Sequence, residues 1–524
     1  MELCDQYLHE IIEIDPTIND FFLKEEYLSK RHIQPNIYSE KYYEKINKLD
    51  HKYLKILEDK KCLNKYDKIL LNDIKFNIHM EEEYEIYYYM PIDLMGNILI
   101  SYVSESNGSG RFLFKKKKDY DDFIHRLKSM KSITDEIIKK MREGIKKKIT
   151  LYKKTVDKII ENINDILKEK LYLNKIKNIH QKRLNKEIKD KLGKNLKRLN
   201  DFLIHEYYEH TSDKIGLESY KGGKKKYREL VKYATLNDLT PEIINKFGFE
   251  ELKRLQNEKR KLAKKLNIKD IDKYVKENKS FYYNNKKEII NDLIKIRKKL
   301  QKEVYSENFH GDFKDKDLYD IKSVPKELKF MVAYYVSSNI FDDEMGTFYI
   351  NTLKPEDINR HEMYVLSLHE GIPGHHYEIL THQRSNLPDY FKITGYSSYS
   401  EGWGLYSESL GNYKNDFDYY FKIQYDLHRT MRIIIDTGIH YYGWDYDKCY
   451  QLMRENLIFP DNYLKKELLR YINLPGQALT YKIGEKTILY LRNKSLNEGM
   501  SVKDFHKKIM DIGPCPLDIL IEQF

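Results

Sequence analysis

The sequence predicts a mainly α-helical protein. Apolar residues recur at intervals of three and four towards both ends of the chain, the spacing of one helix face. Gly and Pro interrupt this pattern without dominating it. At 524 residues the chain can bury a large core in two lobes. We therefore expect a two-lobed helical fold with a deep cleft and a small β-sheet near the functional site.

Three short segments have the composition of strands, because aromatic and β-branched residues cluster there between turn formers: residues 84–89, 98–103 and 346–351. Paired glycines, Gly222 and Gly223, mark the best candidate for a boundary, since each costs a helix roughly 1 kcal/mol. We expect residues 1–212 to form an N-terminal helical lobe with minor strand content, and residues 213–524 to form the lobe that carries the chemistry.

The positive charge of the chain is concentrated in one segment. The formal net charge is +11, and residues 131–200 hold 22 Lys and Arg against 9 Asp and Glu. Such a segment suits nucleic-acid binding. However, Ile137, Met141, Ile145 and Ile149 follow helical spacing between the lysines, which favours amphipathic helices with solvated faces. We expect the latter and no nucleic-acid partner.

The sequence also bears on location. No apolar run approaches the roughly 20 residues that span a bilayer, and the N-terminus lacks a basic start followed by an apolar core. The four cysteines have no regular spacing. We expect a soluble, cytoplasmic protein without a membrane partner. The oligomeric state is left open, with a homodimer as one alternative.

A histidine-rich motif lies in residues 355–376, PEDINRHEMYVLSLHEGIPGHH. A proline followed by two acids predicts a helix that begins at Pro355. Its apolar stripe would consist of Tyr364, Val365, Leu368 and Ile372. The end of this helix would present His369, Glu370, His375 and His376.

His-Glu followed by a further histidine is how many zinc peptidases place ligands and a base on one helix. The usual spacing is HExxH, but here Pro373 occupies the position of the second histidine. If Pro373 and Gly374 loop out, His375 takes that position. If the helix continues, His376 shares a face with His369 but lies roughly 10 Å along it. We favour His375 as the metal ligand, with His376 as its rival or an outer group.

The segment SSYSEGWGLYSESLGNY supplies two carboxylates, Glu401 and Glu408, seven residues apart. On a helix this spacing puts both on one face, so one can complete a zinc shell while the other orients a ligand histidine. Ser398 and Ser400 are candidate caps for that helix.

Weaker signals lie downstream. Tyr481 or His440 would stabilise an oxyanion. Arg432 or Arg492 would pair with a substrate carboxylate, and Gln477 is a further candidate for substrate binding.

Four ordered motifs, HEGIPGHH, EGWGLYSE, DTGIHYYGW and PGQALTYKIG, resemble the signatures of the domain of unknown function 885 family, regarded as metallopeptidase-like zincins. The resemblance extends from about Tyr220 to the C-terminal GPCPLDIL. It implies a zincin-like helical fold and peptide substrates. The family pattern falls on His369, Glu370, His375 and Glu401, while Gly404 stands where the family commonly has alanine.

Our leading hypothesis is a zinc-dependent peptidase of carboxypeptidase or oligopeptidase type. His369, His375 and Glu401 would hold Zn²⁺, and Glu370 would act as the base towards a water molecule. The alternative from another class is a catalytically inactive zincin-fold binding or scaffold protein that contacts nucleic acid through residues 131–200. Salt would weaken that binding steeply, whereas a chelator would abolish peptidase activity. Hydrolysis of a different amide or ester at the same metal is a third reading.

Overall fold

The computed structural model describes residues 2–83, 85–94, 97–311, 313–314, 317–325, 328, 332–337 and 345–524. The described chain is mainly helical, as predicted. The helices of its first part are α1 (Leu3–Ile14), α2 (Glu40–Glu58), α3 (Lys65–Glu83), α4 (Glu85–Tyr89), α5 (Ile98–Asn107), α6 (Lys117–Arg126), α7 (Met130–Lys147), α8 (Lys153–Glu169), α9 (Gln181–Ile188) and α10 (Lys194–Phe202).

Helices also make up most of the remaining chain. In order they are α11 (Gly223–Ala234), α12 (Pro241–Lys265), α13 (Ile271–Glu277), α14 (Lys286–Lys299), α15 (Ser306–Asn308), α16 (Glu362–Glu370), α17 (His375–Arg384), α18 (Asp389–Ile393), α19 (Ser397–Ser409), α20 (Asp416–His440), α21 (Tyr446–Asn456), α22 (Asp461–Asn473), α23 (Thr480–Asn497), α24 (Val502–Ile512) and α25 (Leu517–Glu522).

A small sheet lies between α15 and α16 in the chain. Its strands are β1 (Asp320–Ser323), β2 (Ala333–Val336) and β3 (Thr347–Ile350), in the order β1-β3-β2. The central β3 is parallel to β1, with Asp320 opposite Thr347, and antiparallel to β2, with Ala333 opposite Ile350. β3 confirms the strand predicted at residues 346–351.

The other two predicted strands are wrong. Residues 85–89 form α4 and residues 98–107 form α5, while Tyr84 lies outside the described residues. The side chain of Asn97 caps α5 by accepting the amides of Leu99 and Ile100. Leu99, Tyr102 and Val103 then bury one helical face. Packing thus overrides the strand preference of these side chains.

Two large apolar cores hold the helices together. One gathers buried residues from Ile92 to Tyr207, and the other joins residues between Cys4 and Ile86 to residues between Leu217 and Leu520. The N-terminal helices α1 to α3 therefore pack with the second half of the chain. The division at residue 212 stays a prediction.

The basic segment forms amphipathic helices. Ile137 and Met141 of α7 are buried, while lysines such as Lys131 are exposed and pair with carboxylates one turn away. Lys140 is the exception, since it lies buried over the rings of Tyr43 and Tyr88. Within the described residues, no helix combines the length and apolarity needed to cross a bilayer.

Helix α20 runs through the interior. Every residue from Tyr420 to His440 is buried, including several ionisable ones. Side chains of that kind are seldom fully buried without a partner. The ionisable side chains of α20 therefore need partners inside the protein. Two of them, Arg429 and Arg432, line the cavity described below.

Helices α19 and α23 cross at glycines. A Cβ on Gly402 would lie 2.6 Å from the Cα of Gly484, and one on Gly484 would lie 2.0 Å from the carbonyl oxygen of Ser398. Both distances are below van der Waals contact, so only glycine permits this approach. The crossing fixes α19, which carries Glu401 and Glu408, against α23, which carries Tyr481.

We predict that Gly402→Ala lowers the free energy of unfolding by about 1–3 kcal/mol, because the added methyl group forces two backbones apart. Denaturant unfolding followed by circular dichroism measures this. Gly395→Ala is the matched control, since a Cβ there meets no atom within 4 Å. Equal stability of the two variants would contradict the close crossing.

Candidate metal centre

The predicted break in the histidine-bearing helix is present. Helix α16 ends at Glu370 and α17 begins at His375, so residues 371–374 form a loop. Gly374 approaches α16 closely, because a Cβ there would lie 1.9 Å from the carbonyl oxygen of His369. The indole of Trp403 holds the loop by donating to the carbonyl oxygen of Pro373 at 2.8 Å.

The prediction that α16 begins at Pro355 is wrong. Residues Pro355–Asp357 form only a 3-10 turn, and α16 begins at Glu362. The apolar stripe predicted for it is nevertheless buried: Tyr364, Val365, Leu368 and Ile372.

The capping roles predicted for Ser398 and Ser400 are wrong as well. Helix α19 starts at Ser397 with Tyr396 as its cap residue. The hydroxyl of Ser400 donates instead to Glu378 at 2.8 Å.

Two imidazoles and one carboxylate meet where α16, α17 and α19 come together. The Nε2 atom of His369 lies 3.5 Å from Oε2 of Glu401, and the Nε2 atom of His375 lies 3.4 Å from the same oxygen. The three ligand atoms all lie within 4.8 Å of one another. These are the three residues that the sequence predicts as a metal shell.

The donor set fits a zinc ion. Zinc bonds to imidazole nitrogen and carboxylate oxygen at about 2.0–2.2 Å in a tetrahedron, which separates neighbouring donors by about 3.4 Å. The two measured nitrogen-to-oxygen distances have that value. Two histidines and one glutamate also leave a fourth position open, as catalytic zinc sites require.

A carboxylate lies behind the ring of each histidine, and one of the two is hydrogen bonded to its ring. The Nδ1 atom of His369 donates to Oε1 of buried Glu408 at 2.9 Å, so Nε2 keeps its lone pair for a metal. Glu378 lies one turn after His375, with Oε2 3.7 Å from Nδ1. Gly404 leaves room for the first ring, since a Cβ there would lie 2.7 Å from its Cε1.

Burial and mutual attraction shift the pKa values of the cluster. Burial alone would raise the pKa of Glu401, but the imidazoles of His369 and His375 hold it well below its usual range. Burial would likewise lower the pKa of His375, yet the carboxylates of Glu378 and Glu401 raise it well above its usual value. Protons and a metal ion therefore compete for the same nitrogen atoms.

His376 takes no part in this cluster. Its Nδ1 accepts the hydroxyl proton of Tyr335 at 2.9 Å, and its Nε2 donates to the carbonyl oxygen of Asp317 at 2.7 Å. Burial lowers its pKa to about 4, so the ring stays neutral and serves to tie α17 to β2. Of the two predicted geometries, the structure has the interrupted helix with His375 in the cluster.

A cavity of about 380 Å³ opens onto the cluster. Glu370, the predicted base, lines it together with the three candidate ligands. Tyr481 lines it too, and its hydroxyl oxygen accepts a hydrogen bond from Nη2 of Arg470 at 2.9 Å. The tyrosine proton is thereby free to point elsewhere. Gln477 stands behind it, with Nε2 3.5 Å from the same hydroxyl.

Arg432, one of the two arginines expected to bind a substrate carboxylate, lines the cavity, and its Nη2 donates to Glu467 at 2.8 Å. His440 does not reach it. The Nδ1 atom of His440 accepts from the amide of Leu217, and its Nε2 donates to the carbonyl oxygen of Tyr471. Its expected role at an oxyanion is therefore not supported.

Arg492 is also away from the cavity. It is not among the residues that line the cavity within the described chain. Its expected role as a partner of a substrate carboxylate lacks structural support.

Three residues that line the cavity or lie behind a candidate ligand were not predicted from the sequence. Arg429 lies one turn before Arg432 on α20, and Arg470 comes from α22; both line the cavity. Glu378 lies behind His375. The signal available for Arg429 was its spacing of three from Arg432, which puts both on one helix face. Nothing in the sequence points to Arg470.

Comparison with known proteins identifies the family. Residues 28–524 match the family described as "Bacterial protein of unknown function (DUF885)", and the chain belongs to that family. The match extends far upstream of Tyr220, where the motif resemblance was expected to begin. No curated protein matches the sequence.

Two solved structures share the fold. A "putative lipoprotein" from Colwellia psychrerythraea is similar with a TM-score of 0.86 and 19% identity, over 99% of this chain and 97% of that chain. A "putative lipoprotein of unknown function" from Shewanella oneidensis is similar with a TM-score of 0.73 and 16% identity, over 99% and 98%. At such identities the likeness establishes the fold alone.

We predict that His375→Ala weakens zinc binding by more than about 100-fold, because it removes one of three protein ligands. Metal analysis after dialysis against buffered free zinc measures this. His376→Asn is the matched control, since that ring is hydrogen bonded away from the cluster, and it should keep the metal. The opposite result would make His376 the ligand.

We predict a smaller loss for Glu408→Gln, about 10- to 100-fold in zinc affinity, because an amide holds the Nδ1 proton of His369 less strongly than a carboxylate does. Competition with a chromogenic chelator measures this affinity. An unchanged affinity would show that Glu408 does not orient the histidine.

Proposed function

We propose that this protein is a zinc-dependent hydrolase that acts on peptides, with the metal held by His369, His375 and Glu401. The observation that carries the proposal is the meeting of three donors within 4.8 Å of one another, with both nitrogen-to-oxygen distances at the value of a zinc tetrahedron. A glutamate adjacent in sequence to one of these donors lines the same cavity.

When bound, zinc would polarise the substrate carbonyl and make water a stronger acid. Glu370 would take a proton from the attacking water as the water oxygen bonds to the carbonyl carbon. The same carboxyl would pass that proton to the amide nitrogen as the carbon–nitrogen bond breaks. Glu370 is partly exposed to the cavity, so it can reach both water and substrate.

Tyr481 would stabilise the negative charge that develops on the carbonyl oxygen. Its oxygen already accepts from Arg470, so its own proton remains available to donate. The cation of Arg432 lies 4.2 Å from the centre of its ring and holds the phenol in place. A donor positioned before the reaction stabilises a transition state without further reorganisation.

The proposal also includes a zincin-like fold and a cytoplasmic location, both expected from the sequence. The arrangement of α16, α17 and α19 around one cavity, with β2 along its wall, supports a zincin-like fold with a substrate cleft. Peptide substrates follow from the family resemblance.

We predict that Glu370→Gln keeps about one zinc per chain and loses peptide hydrolysis by about 10²- to 10⁴-fold, because the amide cannot accept the proton of water. Metal analysis and digestion of a peptide library, each on the same preparation, measure both quantities.

The control is wild-type protein treated with a chelator and then given back zinc, which should lose and regain activity. Unchanged turnover by Glu370→Gln would remove this residue from the mechanism. A zinc-loaded wild-type protein that cleaves no peptide in the library would contradict the peptidase itself.

A further inference from the structure

The cavity carries a group of positive charges that zinc binding does not explain. Arg429 and Arg432 of α20 and Arg470 of α22 all line it. The side chains of Arg429 and Arg432 are only 7% and 6% exposed. Buried guanidinium groups require partners, because transfer of a charge out of water is costly.

In the part of the chain that the structure describes, only two carboxylates lie within 4 Å of these three groups. Glu467 accepts from Arg432 at 2.8 Å and lies 3.8 Å from Nη1 of Arg470. The nearest carboxylate to Arg429 is Glu408, at 3.7 Å, and its oxygen already accepts from His369.

Several of their nitrogen atoms consequently lack acceptors. Among the residues that the structure describes, Nε and Nη1 of both Arg429 and Arg432, and Nε of Arg470, have no hydrogen-bond partner. Buried donors are nearly always satisfied by protein, water or a bound ligand. Guanidinium groups match a carboxylate in shape and charge.

Aromatic rings hold two of the guanidinium groups in place. Arg432 stacks on the ring of Tyr481 at 4.2 Å, and Arg429 stacks on the ring of Tyr425 at 4.7 Å. Both rings also line the cavity. The guanidinium groups are therefore held in place before any ligand arrives, which reduces the ordering that binding requires.

We propose that Arg429, Arg432 and Arg470 bind the C-terminal carboxylate of the substrate, so that the protein removes residues from the C-terminal end of peptides. This inference rests on the proposed peptidase function and specifies its substrate class. The metal donors and the arginines line one cavity. The peptide bond presented to the metal would then lie close to the chain end.

The test compares three forms of one blocked peptide: with a free C-terminal carboxylate, with a C-terminal amide, and with a C-terminal amide plus a glutamate side chain next to it. We expect kcat/KM for the free acid to exceed that for the plain amide by at least about 30-fold. The third peptide distinguishes a terminal carboxylate from a side-chain carboxylate as the bound group.

The ratio of kcat/KM for the free acid to that for the plain amide is also measured for Arg432→Gln. Because Arg432 is deeply buried, Arg470→Gln is measured as a second variant; the side chain of Arg470 is 22% exposed. Both variants should lower the ratio of acid to amide towards one. Arg454→Gln is the matched control, since Arg454 lies on the surface and pairs with Asp461. It should keep the wild-type ratio.

Calorimetric binding of the same peptides to zinc-loaded Glu370→Gln protein separates this inference from the proposed function. If the free acid binds more tightly and Arg432→Gln, added to Glu370→Gln, removes the preference, the arginine site stands even without hydrolysis. If amide and acid are cleaved and bound equally, the arginine site is wrong while the peptidase stands. Tighter binding of the glutamate-containing amide would overturn the assignment to the chain end.

Discussion

Compensation of buried charge is the constraint on which the functional region depends. Two imidazoles lie near one oxygen of Glu401 in a mostly buried site. Ionised groups lose their hydration there, and only an opposite charge or a hydrogen bond replaces it. The same demand recurs on α20, where Lys422 pairs with Asp426 and Arg432 pairs with Glu467. These pairs restrict the arrangement of the side chains, because breaking one would leave a buried charge without its partner.

The loop at residues 371–374 brings the second histidine of the cluster next to the first. It ends α16 directly after Glu370 and starts α17 at His375. Pro373 could not continue the helical hydrogen bonding, and Gly374 allows the chain to pass against the carbonyl of His369. The second histidine therefore reaches the first without the four-residue helical spacing. The intrinsic preferences of proline and glycine thus set the geometry of the candidate metal centre.

Local patterns predicted the residues whose placement depends on local geometry. The loop argument selected His375, and helical spacing put Glu401 and Glu408 on one face of α19, as the structure has them. The strands expected at residues 84–89 and 98–103 failed, since short apolar runs do not distinguish a buried helix from a strand. Predictions that depend on packing between distant parts of the chain failed too. His440 lies eight residues after Arg432, about 12 Å along α20, and so lies beyond the cavity. Arg470 was missed because only the packing of α22 brings it there.

Glu408 connects the two chemical parts of the cavity. One of its oxygens accepts from Nδ1 of His369 and lies 3.7 Å from Nη2 of Arg429. Burial would raise the pKa of this carboxyl, but Arg429, His369 and Lys422 hold it below its usual value. Glu408 therefore remains an acceptor for Nδ1 of His369, which directs Nε2 towards Glu401 and His375. The basic residues around Glu408 thus support the orientation of His369 that the proposed metal would require.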